Sequence, residues 1–169
     1  MTQKLYSVGE AQRLAKVKLP KMIYDFVEGS AGDESLRDLN TATLDKMRLM
    51  PRVLIDVSKR SLDLQFLGKD YGLPFGVAPM GMCNLVWPLA DQIIAREAAR
   101  RRFPVAVSTA SSTTLERMIE LADGFAWFQL YADQSPEFVS DLIERAASAN
   151  YDCSVSYTHL RAHETSPDL

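Results

Sequence analysis

Three short apolar runs decide how this chain folds: "LPFGVAP" at Leu73–Pro79, "PVAVS" at Pro104–Ser108 and "FAWFQLY" at Phe125–Tyr131. Each is the length of a buried strand, and each is followed by a stretch with helical spacing: "PLADQIIAREAARRR" from Pro88, "TTLERMIELA" from Thr113 and "SPEFVSDLIERAASA" from Ser135. Pro88 suits a helix's first turn, and "YDC" at Tyr151–Cys153 opens another strand. Strand and helix alternating at this rhythm predict a parallel sheet with right-handed crossovers, either a doubly wound open sheet or a (β/α)₈ barrel. Periodicity does not choose between them.

Upstream the pattern is helical. Ser7-Val8-Gly9-Glu10 fits a capping box opening a helix to about Lys16. A second helix is predicted from Pro20, with Met22, Ile23, Phe26 and Val27 at helical spacing and Gly29 as its stop. Asp33 can cap a third, striped by Leu36, Leu39, Thr43, Leu44 and Met47. "RVLIDVSKRSLDLQFLG" then reads as extended, with at least one alternating strand. The expected organisation is a helical leader with its extended segment over residues 1–72, then three βα units and the start of a fourth strand over 73–153.

The 169 residues and 47% hydrophobic content suit one core. A net charge of -3 gives no broad attraction for nucleic acid or an anionic membrane, and leaves small neutral or anionic ligands open. The first residues scatter charge where a secretory signal would carry an apolar core, and no later run approaches bilayer length, so the expectation is a cytoplasmic protein. Cys83 and Cys153 match no metal spacing and read as reduced thiols in the core.

In either architecture ligands collect at the carboxyl ends of the strands. The residues there are Pro79-Met80-Gly81, Ser108-Thr109 and Gln129-Leu130-Tyr131. They form no Gly-rich phosphate motif. A glycine, a hydroxyl, an amide and a phenol suit hydrogen bonding to a planar polar ring system better than a pyrophosphate.

"LPKMIYDFVEGSAGDE", "PRVLIDVSKRSL", "APMGM", "STASS" and "WFQLY", in this order, resemble the FMN-dependent 2-hydroxy acid dehydrogenase and oxidase family, which includes glycolate oxidase, L-lactate dehydrogenase and mandelate dehydrogenase. The resemblance covers residues 3 to 153, and the opening, "STAS" and "DGFAWFQLY" are most similar to the mandelate dehydrogenase branch. It implies the N-terminal part of a (β/α)₈ TIM barrel behind a helical leader, with FMN across the strands' carboxyl ends. It implies that Pro79, Met80 and Gly81 line the isoalloxazine, that Ser108 and Gln129 hydrogen-bond the flavin ring, and that Tyr24 and Tyr131 point phenols at a 2-hydroxy acid substrate. Where glycolate-type members carry a bulky aromatic, this chain has Ala110, which leaves volume for a larger acid. Singly, each of these residues has an ordinary structural role; their ordered set carries the assignment.

The resemblance further implies a homo-oligomeric parent passing electrons to oxygen, a quinone or a cytochrome, with peripheral membrane attachment in mandelate dehydrogenase relatives through a later loop. The histidine, arginine, aspartate and lysine that do the family's chemistry have no matching motif here, so no catalytic residue is assigned. At the fourth strand the chain instead reads "DCSVSYTHLRAH". His159 and His163 would share a helix face, which suits a metal, but no third ligand is evident. Val155–Thr165 instead match one reading frame of a transposase adapter used in sequencing libraries, and Asp168-Leu169 fit its continuation. Residues 154–169 are therefore expected to be foreign, and the chain as written to be poorly soluble, weak in FMN binding and inactive. Two other readings stand beside this one: a short open-sheet binding or signalling module without catalysis, and a different barrel enzyme such as a phosphate-binding isomerase.

Overall fold

The computed structural model describes residues 5–132 and 135–156. The chain divides into two compact units, Met1–Arg60 and Ser61–Leu169.

The first unit holds three helices, α1 (Val8–Lys18), α2 (Lys21–Glu28) and α3 (Ser35–Asp45). Ser7 caps α1 by accepting the Glu10 N–H at 3.1 Å, and the Glu10 carboxylate reaches back to the Tyr6 N–H, so the reciprocal cap forms one residue further upstream than the sequence pattern implies. Gly29 ends α2 in an extended rather than a left-handed conformation. A side chain there would meet the Asp25 carbonyl oxygen at 2.8 Å, which explains the glycine. Asp33 accepts the Ser35 N–H at 3.1 Å at the start of α3, while Glu34 occupies the cap position itself. No residue of these helices is buried within the chain, and the stripe of Leu36, Leu39, Leu44 and Met47 is exposed.

The second unit opens with a hairpin, β1 (Leu64–Phe66) and β2 (Lys69–Tyr71), turned through Leu67 and Gly68, both at positive φ. This hairpin belongs with the sheet. Lys69 donates to the Gly124 carbonyl at 2.6 Å and to Asp152 at 2.9 Å, and the Gly72 N–H to the Arg102 carbonyl at 2.8 Å. The two units divide at 60/61, inside the extended segment of the expected 1–72 leader.

A four-stranded parallel sheet follows, in the order β3 (Val77–Met80), β4 (Val105–Ser108), β5 (Ala126–Leu130) and β6 (Ser154–Ser156). Between the strands run α4 (Cys83–Val86), α5 (Ala90–Arg101), α6 (Leu115–Leu121) and α7 (Pro136–Ser148). Helix α5 starts two residues after Pro88, because a left-handed Leu89 intervenes. Thr114 and Ser135 cap α6 and α7 through their hydroxyls, with Pro136 in the first turn of α7.

Val105, Val107 and Ala126 pack against Ala95, Ala98, Met118, Ile119 and Ala122 of the α5–α6 layer, and Phe128 packs against Leu115, Leu142 and Ala146. All three long helices thus cover one face of the sheet. Strand order that never reverses, with helices on one side only, is the winding of a barrel sector and excludes the doubly wound alternative. β6 pairs Ser154, Val155 and Ser156 with Phe128, Gln129 and Leu130, so the fourth strand continues past Cys153. Its residues are hardly apolar; parallel pairing uses backbone groups that any residue but proline supplies. Cys83 and Cys153 are unpaired and half-buried rather than fully in the core. Among the described residues no helix is long and apolar enough to cross a membrane.

Candidate functional site

Because side chains alternate along a strand, the residues between the helix-facing ones point to the other side of the sheet. On β4 and β5 these are Ala106 and Ser108, Trp127 and Gln129. Ser108 and Gln129 are register partners at the carboxyl ends of their strands, 5% and 1% exposed. Two polar side chains lie side by side on a face where apolar ones would pack as well.

Their hydrogen bonding differs. Ser108 Oγ accepts the Ala110 N–H at 3.1 Å, which leaves its hydroxyl proton to be given elsewhere. Gln129 is anchored through its backbone: its carbonyl accepts the Thr109 N–H at 3.0 Å and the Thr109 Oγ1–H at 2.7 Å. Its side-chain Nε2 is buried and has no partner among the described residues. An amide donor left in this state costs on the order of 1–3 kcal/mol. The fold retains a cost that methionine or leucine would avoid, which marks a group awaiting an acceptor.

Pro79, Met80 and Gly81 reach the same end from β3. A side chain on Gly81 would lie 3.1 Å from the Ala110 Cβ, and the Met82 N–H donates to the Ala110 carbonyl at 3.0 Å. Met82 adopts φ 53°, a left-handed conformation that costs a non-glycine residue about 1 kcal/mol. The β3 and β4 loops are therefore in direct contact, with backbone exposed where Gly81 lacks a side chain. Tyr131 follows β5, 40% exposed, its N–H donating to Thr109 Oγ1 at 3.1 Å. Six of the seven residues singled out from the sequence thus come from consecutive strand ends of one sheet. Tyr24 lies half-buried on α2 in the first unit. His159, Arg161 and His163 lie outside the described residues.

One neighbour has no counterpart in the sequence reading. Asp91, in the first turn of α5, is 4% exposed, and its Oδ2 accepts both the Ser111 Oγ–H and the Ser112 N–H at 2.9 Å. In sequence it passes for an acid favoured by a helix N-terminus. Its proximity and burial push the nearby Cys83 thiol up to about 11, burial being the larger cause. That thiol is a poor nucleophile at neutral pH.

A cleft of about 670 Å³ lies between α6 and α7, on the helical side. Glu116, Glu120, Asp141 and Glu144 line it around a single Arg145, a lining that repels an anionic substrate. Size and chemistry point to different places, and the chemistry favours the strand ends. Among the described residues no cluster of three or more His, Cys, Asp or Glu could hold a metal ion.

The profile of the FMN-dependent dehydrogenases matches residues 15–158, most of the chain. The chain belongs to this family. It is 36% identical over 151 residues to (S)-mandelate dehydrogenase of Pseudomonas putida, covering 89% of this chain and 38% of that protein. It is 32% identical to glycolate oxidase 3 of Oryza sativa subsp. indica, covering 86% of this chain and 40% of that protein. The crystal structure of a soluble mutant of the membrane-associated (S)-mandelate dehydrogenase from Pseudomonas putida superposes with a TM-score of 0.85 at 35% identity, covering 93% of this chain and 45% of that one. The chain thus spans about two fifths of the length of the curated relatives it matches. The chain holds an incomplete sector of the family's barrel, and the reading as an open-sheet module falls. The family match runs through β6 to residue 158, past the expected boundary at 153.

FMN is the family's cofactor, and the residues present fit it. A flavin ring carries carbonyl and imine acceptors along one edge, the counterpart of a buried amide donor without a partner and a hydroxyl with a proton to give.

Proposed function

We propose that the intact protein oxidises an L-2-hydroxy acid to the 2-oxo acid with FMN, and that this stretch supplies much of the flavin cradle and part of the substrate pocket. The observation that carries the reading is the buried, unpartnered Nε2 of Gln129 beside Ser108 at the strand ends. When bound, FMN takes up the two electrons released from the substrate's α-carbon. Gln129 and Ser108 donate hydrogen bonds to the flavin's polar edge, and the backbone of Pro79, Met80 and Gly81 lies along the ring, the absent Gly81 side chain permitting close approach. By the family resemblance, Tyr24 and Tyr131 point neutral phenols at the substrate, and Tyr24 helps to hold its carboxylate.

The small Ala110, packed against Gly81, favours a bulky acid of the mandelate type over glycolate. Similarity to (S)-mandelate dehydrogenase supports the same preference. Proton abstraction falls to residues of the parent outside residues 1–153, since this stretch contains no histidine. The parent is a homo-oligomer placed in the cytoplasm, with peripheral membrane association as its relative's description suggests. Residues 1–72 serve as helical leader and extended segment, the hairpin at its end packing on the sheet, residues 73–153 as barrel sector, and 154–169 as foreign sequence whose first residues pair as β6.

The test is to purify the full-length protein encoded at this locus and add L-mandelate and then L-lactate without oxygen. The expected result is a yellow protein whose flavin absorbance is bleached, faster by mandelate. A colourless protein that acquires no flavin absorbance on adding FMN would overturn the reading.

A further inference from the structure

We infer that Asp91 is a positioning residue for substrate-size selection, holding the loop that carries Ala110 against the β3 end of the site. The inference rests on the flavin reading above and adds to it a residue that touches neither flavin nor substrate.

A carboxylate in the first turn of a helix usually gains from the helix dipole while staying in water. Asp91 is 4% exposed, and a carboxylate is removed from water only at a large cost unless it is well paired. What accounts for its burial is the loop it grips. One oxygen, Oδ2, accepts the Ser111 hydroxyl and the Ser112 N–H, both at 2.9 Å, while the Asp91 N–H faces Asn84 Oδ1 at 3.5 Å. Ser111 in turn gives its backbone N–H to the Ser108 carbonyl at 2.9 Å, and its hydroxyl accepts the Thr113 N–H at 3.3 Å. The segment from Ser108 to Thr113 is thereby fixed at its middle by a group on a different βα unit.

Ala110 sits between these anchors. Its N–H donates to Ser108 Oγ and its carbonyl accepts the Met82 N–H at 3.0 Å, so its position is shared among the β4 strand end, the Gly81–Met82 backbone and, one residue on, the Asp91 grip. The space beside Ala110 is where the side group of the acid is proposed to lie. Releasing Ser111 and Ser112 frees Ala110 to move across that space, and a large acid feels this before a small one does.

The experiment uses the full-length flavoprotein with Asp91→Ala, which removes both acceptor contacts, and Asp91→Asn, which keeps an acceptor oxygen in the same place. Three quantities are read: flavin content, hydrogen exchange at the Ser112 amide, and the ratio of kcat/KM for mandelate to that for lactate. For Asp91→Ala the expectation is retained flavin, faster Ser112 exchange and a mandelate-to-lactate ratio lowered about tenfold, chiefly through KM. Asp91→Asn restores the ratio to within about twofold of wild type. Flavin-replete Asp91→Ala protein with faster exchange but an unchanged ratio overturns the positioning role, since Asp91 is then merely structural. An equal fall in both substrates, unrescued by asparagine, overturns it too. If Asp91→Ala does not fold, the asparagine variant decides: a ratio shifted as far as tenfold overturns the proposal, and a ratio near wild type supports it. Wild-type protein without flavin overturns the functional reading itself, and this inference with it.

Discussion

Two nitrogen donors stand two residues apart on the same face of β5 and meet opposite fates. Trp127, towards the amino end of the sheet, gives its indole N–H to the Tyr71 hydroxyl at 3.2 Å, within an aromatic group formed with Phe66 under the hairpin. Gln129, at the carboxyl end, is more deeply buried and has no partner for its side-chain Nε2 among the described residues. The hairpin closes one end of the sheet with internal contacts, whereas at the other end stand the polar groups proposed to meet the flavin. Stability and ligand chemistry are thus separated along a single strand. The helix-facing side of that strand, with Phe128 at 2% exposure, belongs wholly to stability.

The largest expected effect tests the stability side. Phe128→Ala removes a ring packed against Leu115, Leu142, Ala146 and Tyr151, and should cost about 3–5 kcal/mol in denaturant unfolding of the full-length protein. Gln129→Met sharpens the contrast because it keeps the volume and removes the orphaned donor. Flavin affinity should fall about 10- to 100-fold by titration, while the flavin-free protein melts at the same temperature or higher. A flavin-free protein that melts clearly lower would mean the amide has an internal structural role. Trp127→Phe should behave in the opposite way, losing about 1 kcal/mol of stability with the indole hydrogen bond and leaving flavin affinity unchanged. Ala110→Trp fills the space beside Gly81 and should turn the preference from mandelate towards a smaller acid by about tenfold in relative kcat/KM.

The same contrast explains how much could be read from the residues alone. The alternation of "PVAVS" and "FAWFQLY" with helical stretches makes β4, α6, β5 and α7 legible, because strands buried on both faces, as all of β4 is, are short continuous apolar runs and caps such as Thr114 and Ser135 are local. The hairpin at Leu64–Tyr71 was legible only as extended sequence, since its turn uses Leu67-Gly68 rather than a familiar hairpin pair. Helix α4 leaves no sequence signal because four residues carry no periodicity, and neither does the left-handed Leu89 that keeps Pro88 out of the first turn of α5. Ser108 and Gln129 were placed at strand ends, but that Gln129 lacks a partner depends on what β4 and β6 bring beside it. Asp91 was invisible for the same reason: its partners are 20 and 21 residues away, across a different βα unit.

The smallest expected effect lies on the helical side, far from either donor. Arg145 on α7 donates to both oxygens of Glu116 on α6, at 2.8 and 3.2 Å, and this hydrogen bonding holds the Glu116 carboxyl below its ordinary value. A carboxyl whose folded value is depressed contributes stability that is fully present above its unfolded value near 4.5 and is lost as pH falls through the folded one. Glu116→Gln should therefore flatten the acid limb of the stability curve below about pH 4.5 and change little at neutral pH. Both side chains are more than a third exposed, so solvent screens the pair and its contribution sits at the low end of the roughly 0.2–1 kcal/mol found for surface ion pairs. Urea unfolding at pH 3.5 and 7 in low and high salt measures it. A flavin affinity that moved with this substitution would couple the helical layer to the strand ends and break the separation that Trp127 and Gln129 define.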